Sequence, residues 1–122
     1  MAPVVGRIRR RSTFRALARP EGRASEGPVS VAYASIDEHL GMPLVAYAVG
    51  RPVGTAVVRN RVRRRLRAAV RAAAPALPAG SYLVRVSPAA AAANWNELCA
   101  AVRRAAEGAA SRAQGLAAGA SR

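Results

Sequence analysis

The chain has 122 residues, of which 20 are basic and 6 acidic, so its formal net charge is +14 at pH 7. This length favours a single domain, and the excess of positive charge favours a phosphate-rich macromolecule over an acidic small molecule as the partner. A lone cysteine excludes an internal disulfide, and the absence of a signal pattern and of an apolar run of about 18 residues indicates a cytoplasmic protein without a membrane span.

The first segment is basic and shows no periodicity. We expect residues 1–11 to form an extended N-terminal arm. Ser12 and Thr13 can cap a short helix over Phe14–Arg19, which must end before Pro20.

In the next segment, larger apolar side chains alternate with small or polar ones, as they do in β-strands. Val29–Ile36 is predicted to be a strand, and its larger apolar side chains lie on one face: Val29, Val31 and Tyr33. Residues 37–42 suit a loop, and Leu44–Val49 is predicted to be the hairpin partner of the first strand. A further short strand is expected near residues 22–24.

Glycines and a proline at residues 50–54 then end the sheet segment. Thr55 is a suitable N-cap for a helix that continues until just before Pro75. A third strand is predicted over Ser81–Val86.

Asn94 and Glu97 have the spacing of a capping box and predict a last helix. Its apolar face is expected to contain Trp95, Leu98, Cys99 and Val102. From residue 108 to 122 the composition predicts a disordered tail. The fold class is therefore α+β: a single domain over residues 12–107 in the order α-β-β-α-β-α, with one mixed sheet packed by helices.

The helix after Thr55 has two chemically different sides. Between Val57 and Arg71 there are seven arginines and no acid. Apolar residues at helical spacing nevertheless share an arc of about 120°, which suits one face for a core. Unrelieved positive charges at i,i+4 spacing destabilise a helix by about 0.2–0.5 kcal/mol per pair. A merely solvated face usually mixes charges of both signs, so we expect the arginine side to bind a large polyanion.

The stretch Val53–Arg67, with Arg59-Asn60-Arg61 at its centre, resembles the signature of the bacterial ribonuclease P protein component. The flanks agree in order and spacing, so that the resemblance spans about residues 7–106. Two positions depart from the family pattern. Ala18 stands where a second aromatic residue is frequent, and Pro52 stands where a second basic residue is frequent.

The resemblance implies the protein subunit of a ribonucleoprotein that removes the 5′ leader of precursor tRNA. It implies two partners, the catalytic RNA and precursor tRNA, with no required protein partner and no membrane. Hydrolysis would be carried out by the RNA and its Mg²⁺ ions.

The resemblance also assigns roles to residues of this sequence. Contact with the RNA subunit is expected from Arg59, Asn60, Arg61, Arg63, Arg64, Arg67 and Arg71. Leader binding in a cleft is expected from Phe14, Tyr33 and Arg51, with the two aromatic rings stacking on bases. Tyr47 and Tyr82 are expected to belong to the sheet, and Trp95 to the core.

No catalytic or metal-binding residue is predicted in the protein. One histidine, one cysteine and scattered acidic residues do not make a triad or a carboxylate cluster.

Two other classes of function remain open on the sequence. A ribosomal or other structural RNA-binding protein would account for charge and size. A binder of anionic membranes could use the amphipathic helix, although its apolar side is small and lacks an aromatic anchor.

Overall fold

The structure, a computed structural model, describes residues 5–120 and the side chains of residues 5–115. These residues contain five strands and three α-helices. They are β1 (Gly6–Arg7), α1 (Arg11–Ala18), β2 (Gly22–Glu26), β3 (Val29–Ala34), β4 (Pro43–Ala48), α2 (Ala56–Ala73), β5 (Gly80–Val86) and α3 (Trp95–Ala120). The α+β class and the single mixed sheet predicted from the sequence are confirmed.

The strands form one sheet in the order β1-β4-β5-β3-β2. β4 is parallel to both of its neighbours, whereas β3 is antiparallel to β5 and to β2. The helix α2 provides the crossover that two adjacent parallel strands, β4 and β5, require.

The predicted hairpin between the strands near residues 29–36 and 44–49 is wrong. β5 lies between them, and the hairpin partner of β3 is β2, the short strand that the sequence indicated. The reason is local. Only Gly27 and Pro28 separate β2 from β3, and Gly27 adopts φ 52°, which glycine tolerates without strain.

Helices cover both faces of the sheet. α2 and α3 pack on one face, against a core that includes Val29, Val31 and Val84. α1 packs on the other face, where Leu17 joins a smaller cluster with Ala34 and Leu44. Alanines make up much of this smaller cluster.

The disordered tail expected from residue 108 is wrong for the described residues, because α3 continues to Ala120. Its small side chains allow the helix to approach the sheet closely, and a Cβ on Gly22 would overlap the carbonyl oxygen of Ala109. The buried alanines on this side of α3 include Ala105, Ala109 and Ala113. Residues 121 and 122 lie outside the described part of the chain.

The N-terminal arm also differs from the expectation. Gly6 and Arg7 form an edge strand on β4, and Ile8 is buried. The helix α1 begins at Arg11, so Thr13 is not its N-cap. Its hydroxyl is buried and donates to Asp37 instead. Residues 1–4 of the expected arm lie outside the described residues.

Candidate nucleic-acid interface

The helix α2 has the two sides that the sequence predicted. Thr55 caps it, since its hydroxyl oxygen accepts a hydrogen bond of 3.3 Å from the Val58 amide. The buried side contains Val62, Leu66, Ala69, Val70 and Ala73. The exposed side contains Asn60, Arg61, Arg64, Arg67 and Arg71. Because its apolar side lies in the core, α2 has no apolar face to offer a membrane. No helix among the described residues is long and apolar enough to cross a bilayer.

Several arginines of α2 also donate hydrogen bonds within the protein. Arg61 donates to the carbonyl oxygen of Ala91 at 3.3 Å, and Arg65 donates to that of Ala93 at 2.8 Å. These bonds connect α2 to the segment before α3. Arg63 donates to the Asn60 side chain at 3.1 Å and to the Val49 carbonyl at 3.4 Å, so its guanidinium is held close to the sheet.

Arg59 is half-buried in the first turn of α2, and its Nε is buried without a hydrogen-bond partner among the described residues. Arg63 is also half-buried, whereas the other predicted RNA-contacting arginines are exposed.

A cavity of about 740 Å³ opens where α1, β4 and α2 meet. The aromatic side chains that line it are Phe14 and Tyr47, and the arginines are Arg7, Arg63, Arg67 and Arg71. No acidic residue of the described chain lines it. The cavity therefore joins the arginine side of α2 to the predicted leader-binding residue Phe14.

Phe14 is the only phenylalanine of the chain, and its side chain is 44% exposed, which is unusual for a large apolar group. Its position depends on the buried carboxylate of Asp37, which is 2% exposed. That carboxylate accepts hydrogen bonds from Thr13 at 2.6 Å and from Ser81 at 3.3 Å, and it forms an ion pair with Arg10. These contacts hold the first turns of α1 against the start of β5.

Tyr33, which was predicted to bind the leader, is buried in this structure, and its ring is not accessible for stacking on a base. The residue is 3% exposed and lies on the face covered by α2 and α3. Its hydroxyl donates to the Ala79 carbonyl at 2.7 Å, and its ring meets that of Tyr82 edge to face at 4.9 Å between centroids. Burial is the main cause of its raised pKa.

The other predicted leader contact, Arg51, is exposed in the short turn before α2 and does not line the cavity. Ala18 is exposed at the end of α1 and adds no ring to that of Phe14.

Trp95 differs from the prediction of a core residue. It is the first residue of α3, and it is 44% exposed. The helix turns Leu98 and Val102 inward, whereas a residue of the first turn lies at the rim of this core. Asn94 does cap α3 as predicted, since its side-chain oxygen accepts from the Glu97 amide at 2.8 Å.

Tyr47 was not predicted as a site residue. Its ring lies under the Arg67 guanidinium, 5.9 Å from ring centroid to Cζ, within the range of a cation–π contact. Burial raises the pKa of the Tyr47 phenol to about 12 although Arg67 and Arg71 oppose the shift. The sequence signal that could have found it is the i,i+2 alternation of Val45, Tyr47 and Val49, which places the tyrosine on the α2 side of β4.

No group of three histidine, cysteine, aspartate or glutamate side chains that could hold a metal occurs within the described residues.

A family profile described as "Ribonuclease P" matches residues 3–110 of this sequence. The chain belongs to the ribonuclease P protein family. It is 46% identical over 102 residues to the "Ribonuclease P protein component" of Acidothermus cellulolyticus, a match that covers 82% of this chain and 84% of the relative.

Solved structures of ribonuclease P proteins have the same fold. The Thermotoga maritima protein superposes with a TM-score of 0.68 at 18% identity, covering 83% of this chain and 94% of that one. The Staphylococcus aureus protein superposes with a TM-score of 0.66 at 17% identity, covering 81% of this chain and 90% of that one.

Proposed function

We propose that this protein is the subunit of ribonuclease P that binds the catalytic RNA through the exposed arginine side of α2 and contacts the 5′ leader of precursor tRNA near Phe14. The observation that carries the proposal is the acid-free arginine side of a helix whose apolar side is committed to the core. A guanidinium contacts phosphate through two parallel hydrogen bonds, and a row of them suits a folded RNA backbone.

We assign binding to the protein and catalysis to the RNA because of the side chains that the protein offers. The described residues offer no cluster of ligands for Mg²⁺, so we assign the metal and the hydrolysis to the RNA subunit. The protein contributes binding, with phosphate contacts that set position and an aromatic ring that can stack on an unpaired base. We place the assembly in the cytoplasm, where the free thiol of Cys99 stays reduced.

The experiment compares two double variants that each remove two positive charges from an exposed helical surface. Arg61→Ala with Arg64→Ala removes charge from the arginine side of α2, outside the cavity. Arg103→Ala with Arg104→Ala, on α3, is the matched control. Affinity for the ribonuclease P RNA is measured from about 50 to 200 mM salt, the range over which phosphate contacts weaken strongly.

We expect the α2 variant to bind more weakly and to lower the log–log salt slope by about 0.7–0.9 for each phosphate that it no longer neutralises. The α3 variant should change the affinity and the slope much less. Equal effects of the two variants would show that only net charge matters, and would contradict a specific role for α2.

A further inference from the structure

Trp95 is the only tryptophan of the chain, and its ring is 44% exposed in the first turn of α3. It does not line the cavity. The helix α3 packs on the face of the sheet opposite to α1, so Trp95 and Phe14 lie on different sides of the molecule. An exposed indole combines a large apolar surface with one N–H donor, which suits a binding surface.

The contacts of Arg65 show where Trp95 lies relative to α2. Arg65 donates to the carbonyl oxygen of Ala93 at 2.8 Å, two residues before the tryptophan. Burial raises the pKa of the Cys99 thiol and Arg65 opposes this shift, so its guanidinium is also near a side chain one turn after the tryptophan. These two contacts lie on either side of Trp95 along the chain. The first turn of α3 therefore lies against the flank of α2 that carries Arg65.

The arginines of α2 lie on two different flanks of that helix. At about 100° per residue, Arg61 and Arg65 lie on the flank next to α3, whereas Arg63 and Arg67 lie on the flank that lines the cavity. Arg61 is exposed, and it uses one donor of its guanidinium on a backbone carbonyl at 3.3 Å. It forms no ion pair with a described residue, so most of its donors remain for a phosphate.

The charges around the ring favour RNA as its partner. Glu97 is the acidic residue closest in sequence, but a residue two positions along a helix projects to a different side. Its carboxylate also accepts a hydrogen bond of 2.5 Å from the Asn94 side chain. The charged residues on the neighbouring flank of α2 are Arg61 and Arg65. An aromatic ring next to a guanidinium is typical of surfaces that bind unpaired nucleotides, because the ring stacks on a base and the guanidinium contacts a phosphate.

We propose that Trp95 stacks on an unpaired base of the ribonuclease P RNA and that Arg61 binds a phosphate of the same nucleotide. The RNA subunit then extends from the exposed side of α2 onto the start of α3, away from the cavity. The leader is not the occupant, because its predicted contact Phe14 lies on the other side of the molecule. This inference rests on the proposed function, since it adds base stacking to the phosphate contacts with the same RNA.

The first test removes the ring without removing charge. Trp95→Ala should weaken binding to the ribonuclease P RNA about tenfold, the size expected for one lost stacking contact, and should keep the wild-type salt slope. Trp95→Phe retains a ring and should stay within about threefold of the wild type. Leu40→Ala is the matched control, because it removes an exposed apolar side chain from the turn before β4, and it should bind like the wild type. Circular dichroism and thermal unfolding establish that each variant is folded.

A double-mutant cycle tests whether Trp95 and Arg61 hold the same nucleotide. Arg61→Ala alone should lower the salt slope by about 0.7–0.9. The variant that combines it with Trp95→Ala should lose less affinity than the product of the two separate fold-changes, because a displaced nucleotide makes neither contact. Losses that multiply overturn the assignment of Arg61 to this nucleotide.

The second test uses the wild-type protein, whose tryptophan fluorescence comes from Trp95 alone. Binding of the ribonuclease P RNA should lower the emission and protect it from quenching by acrylamide, an uncharged probe that does not screen phosphate contacts. Addition of precursor tRNA to the assembled holoenzyme should change neither quantity. This measurement also decides the question if Trp95→Ala does not fold.

The inference is overturned if folded Trp95→Ala binds the RNA as tightly as the wild type, or if Leu40→Ala loses as much affinity. It is also overturned if acrylamide reaches Trp95 equally in the free protein and in the complex, or if protection requires precursor tRNA. Any of these results, obtained while the double variant Arg61→Ala with Arg64→Ala still binds more weakly and with a lower salt slope, leaves the proposed function standing.

Discussion

At the scale of single residues, Asp37 connects α1, which contributes Phe14 to the cavity, to the start of β5. Its carboxylate is buried and accepts hydrogen bonds from Thr13 on α1 and from Ser81 on β5. Phe14 follows Thr13 directly, so the aromatic ring that lines the cavity is placed by a buried polar contact as well as by the packing of Leu17.

We predict that Asp37→Ala lowers the free energy of unfolding by about 1–3 kcal/mol, because two buried hydroxyls and an arginine lose their acceptor. Chemical denaturation measures the change. Glu38→Ala is the matched control, since it removes a neighbouring carboxylate that is exposed, and it should be within about 0.5 kcal/mol of the wild type. Equal destabilisation by both substitutions would contradict the role assigned to Asp37.

Tyr33→Phe removes the hydrogen bond to Ala79 and leaves the ring in the core. We predict a decrease of about 0.5–1.5 kcal/mol in stability, measured by denaturant unfolding, with the preference of the holoenzyme for precursor over mature tRNA unchanged. A changed preference with unchanged stability would restore Tyr33 as a leader-binding residue.

Tyr33 and Tyr47 show which structural features the residue pattern predicts and which it does not. Alternation correctly placed Val29, Val31 and Tyr33 on one face. It did not say which face of the sheet would be covered by two helices. The alternation therefore predicted correctly which side chains share a face with Tyr33, but it did not predict that this face lies in the core. Tyr47 was not assigned to the candidate site for the same reason.

At the scale of elements, the helix α2 was predictable because its start, end and two faces are all encoded locally. Thr55, the apolar spacing and Pro75 each act within a few residues. The pairing of β4 with β5 was not predictable. The whole of α2 separates these two parallel strands in the sequence, and no turn residue fixes which strands become neighbours. The C-terminal part of α3 was missed because alanine and glycine indicate disorder by composition, whereas here their small size allows close contact with β2.

Gly22→Ala tests that close approach of α3 to β2. Its new Cβ would overlap the Ala109 carbonyl oxygen and lie 2.8 Å from the Ala113 amide nitrogen, and both atoms belong to the backbone of α3. We predict a decrease of about 1–3 kcal/mol in stability on denaturant unfolding. Gly115→Ala, where a Cβ has open space, should be neutral or stabilise the helix by up to about 1 kcal/mol. A neutral Gly22→Ala would mean that α3 does not approach β2 so closely.

At the scale of the whole molecule, all three tyrosines have raised pKa values, chiefly because of burial, and that of Tyr47 is raised to about 12. In the unfolded chain phenols ionise near their ordinary pKa of about 10. The unfolded state therefore binds fewer protons than the folded state above this pH. Stability that is fully present below a pH of about 10 should fall as the pH rises from about 10 toward 12.

The measurement is tyrosinate absorbance during an alkaline titration, in buffer and in denaturant. We predict that the folded protein still has mostly neutral phenols at a pH of about 10, whereas the denatured chain is half-ionised there. Coincident titration curves in the two solvents would contradict the buried placement of the three rings.

The net charge of +14 is also a property of the whole molecule, and it indicates a nucleic-acid partner. Charge alone does not separate a ribonuclease P subunit from other RNA-binding proteins. That separation came from one ordered stretch around Arg59-Asn60-Arg61, and the family membership agrees with it.

The most direct test of the proposed function is reconstitution of the protein with the ribonuclease P RNA of the same organism. Cleavage of precursor tRNA is measured at a low Mg²⁺ concentration with the RNA alone, the protein alone and both together. We predict that the protein alone cleaves nothing and that its addition restores 5′-leader removal by the RNA. No stimulation of the RNA, or cleavage by repurified protein free of RNA, would contradict the account.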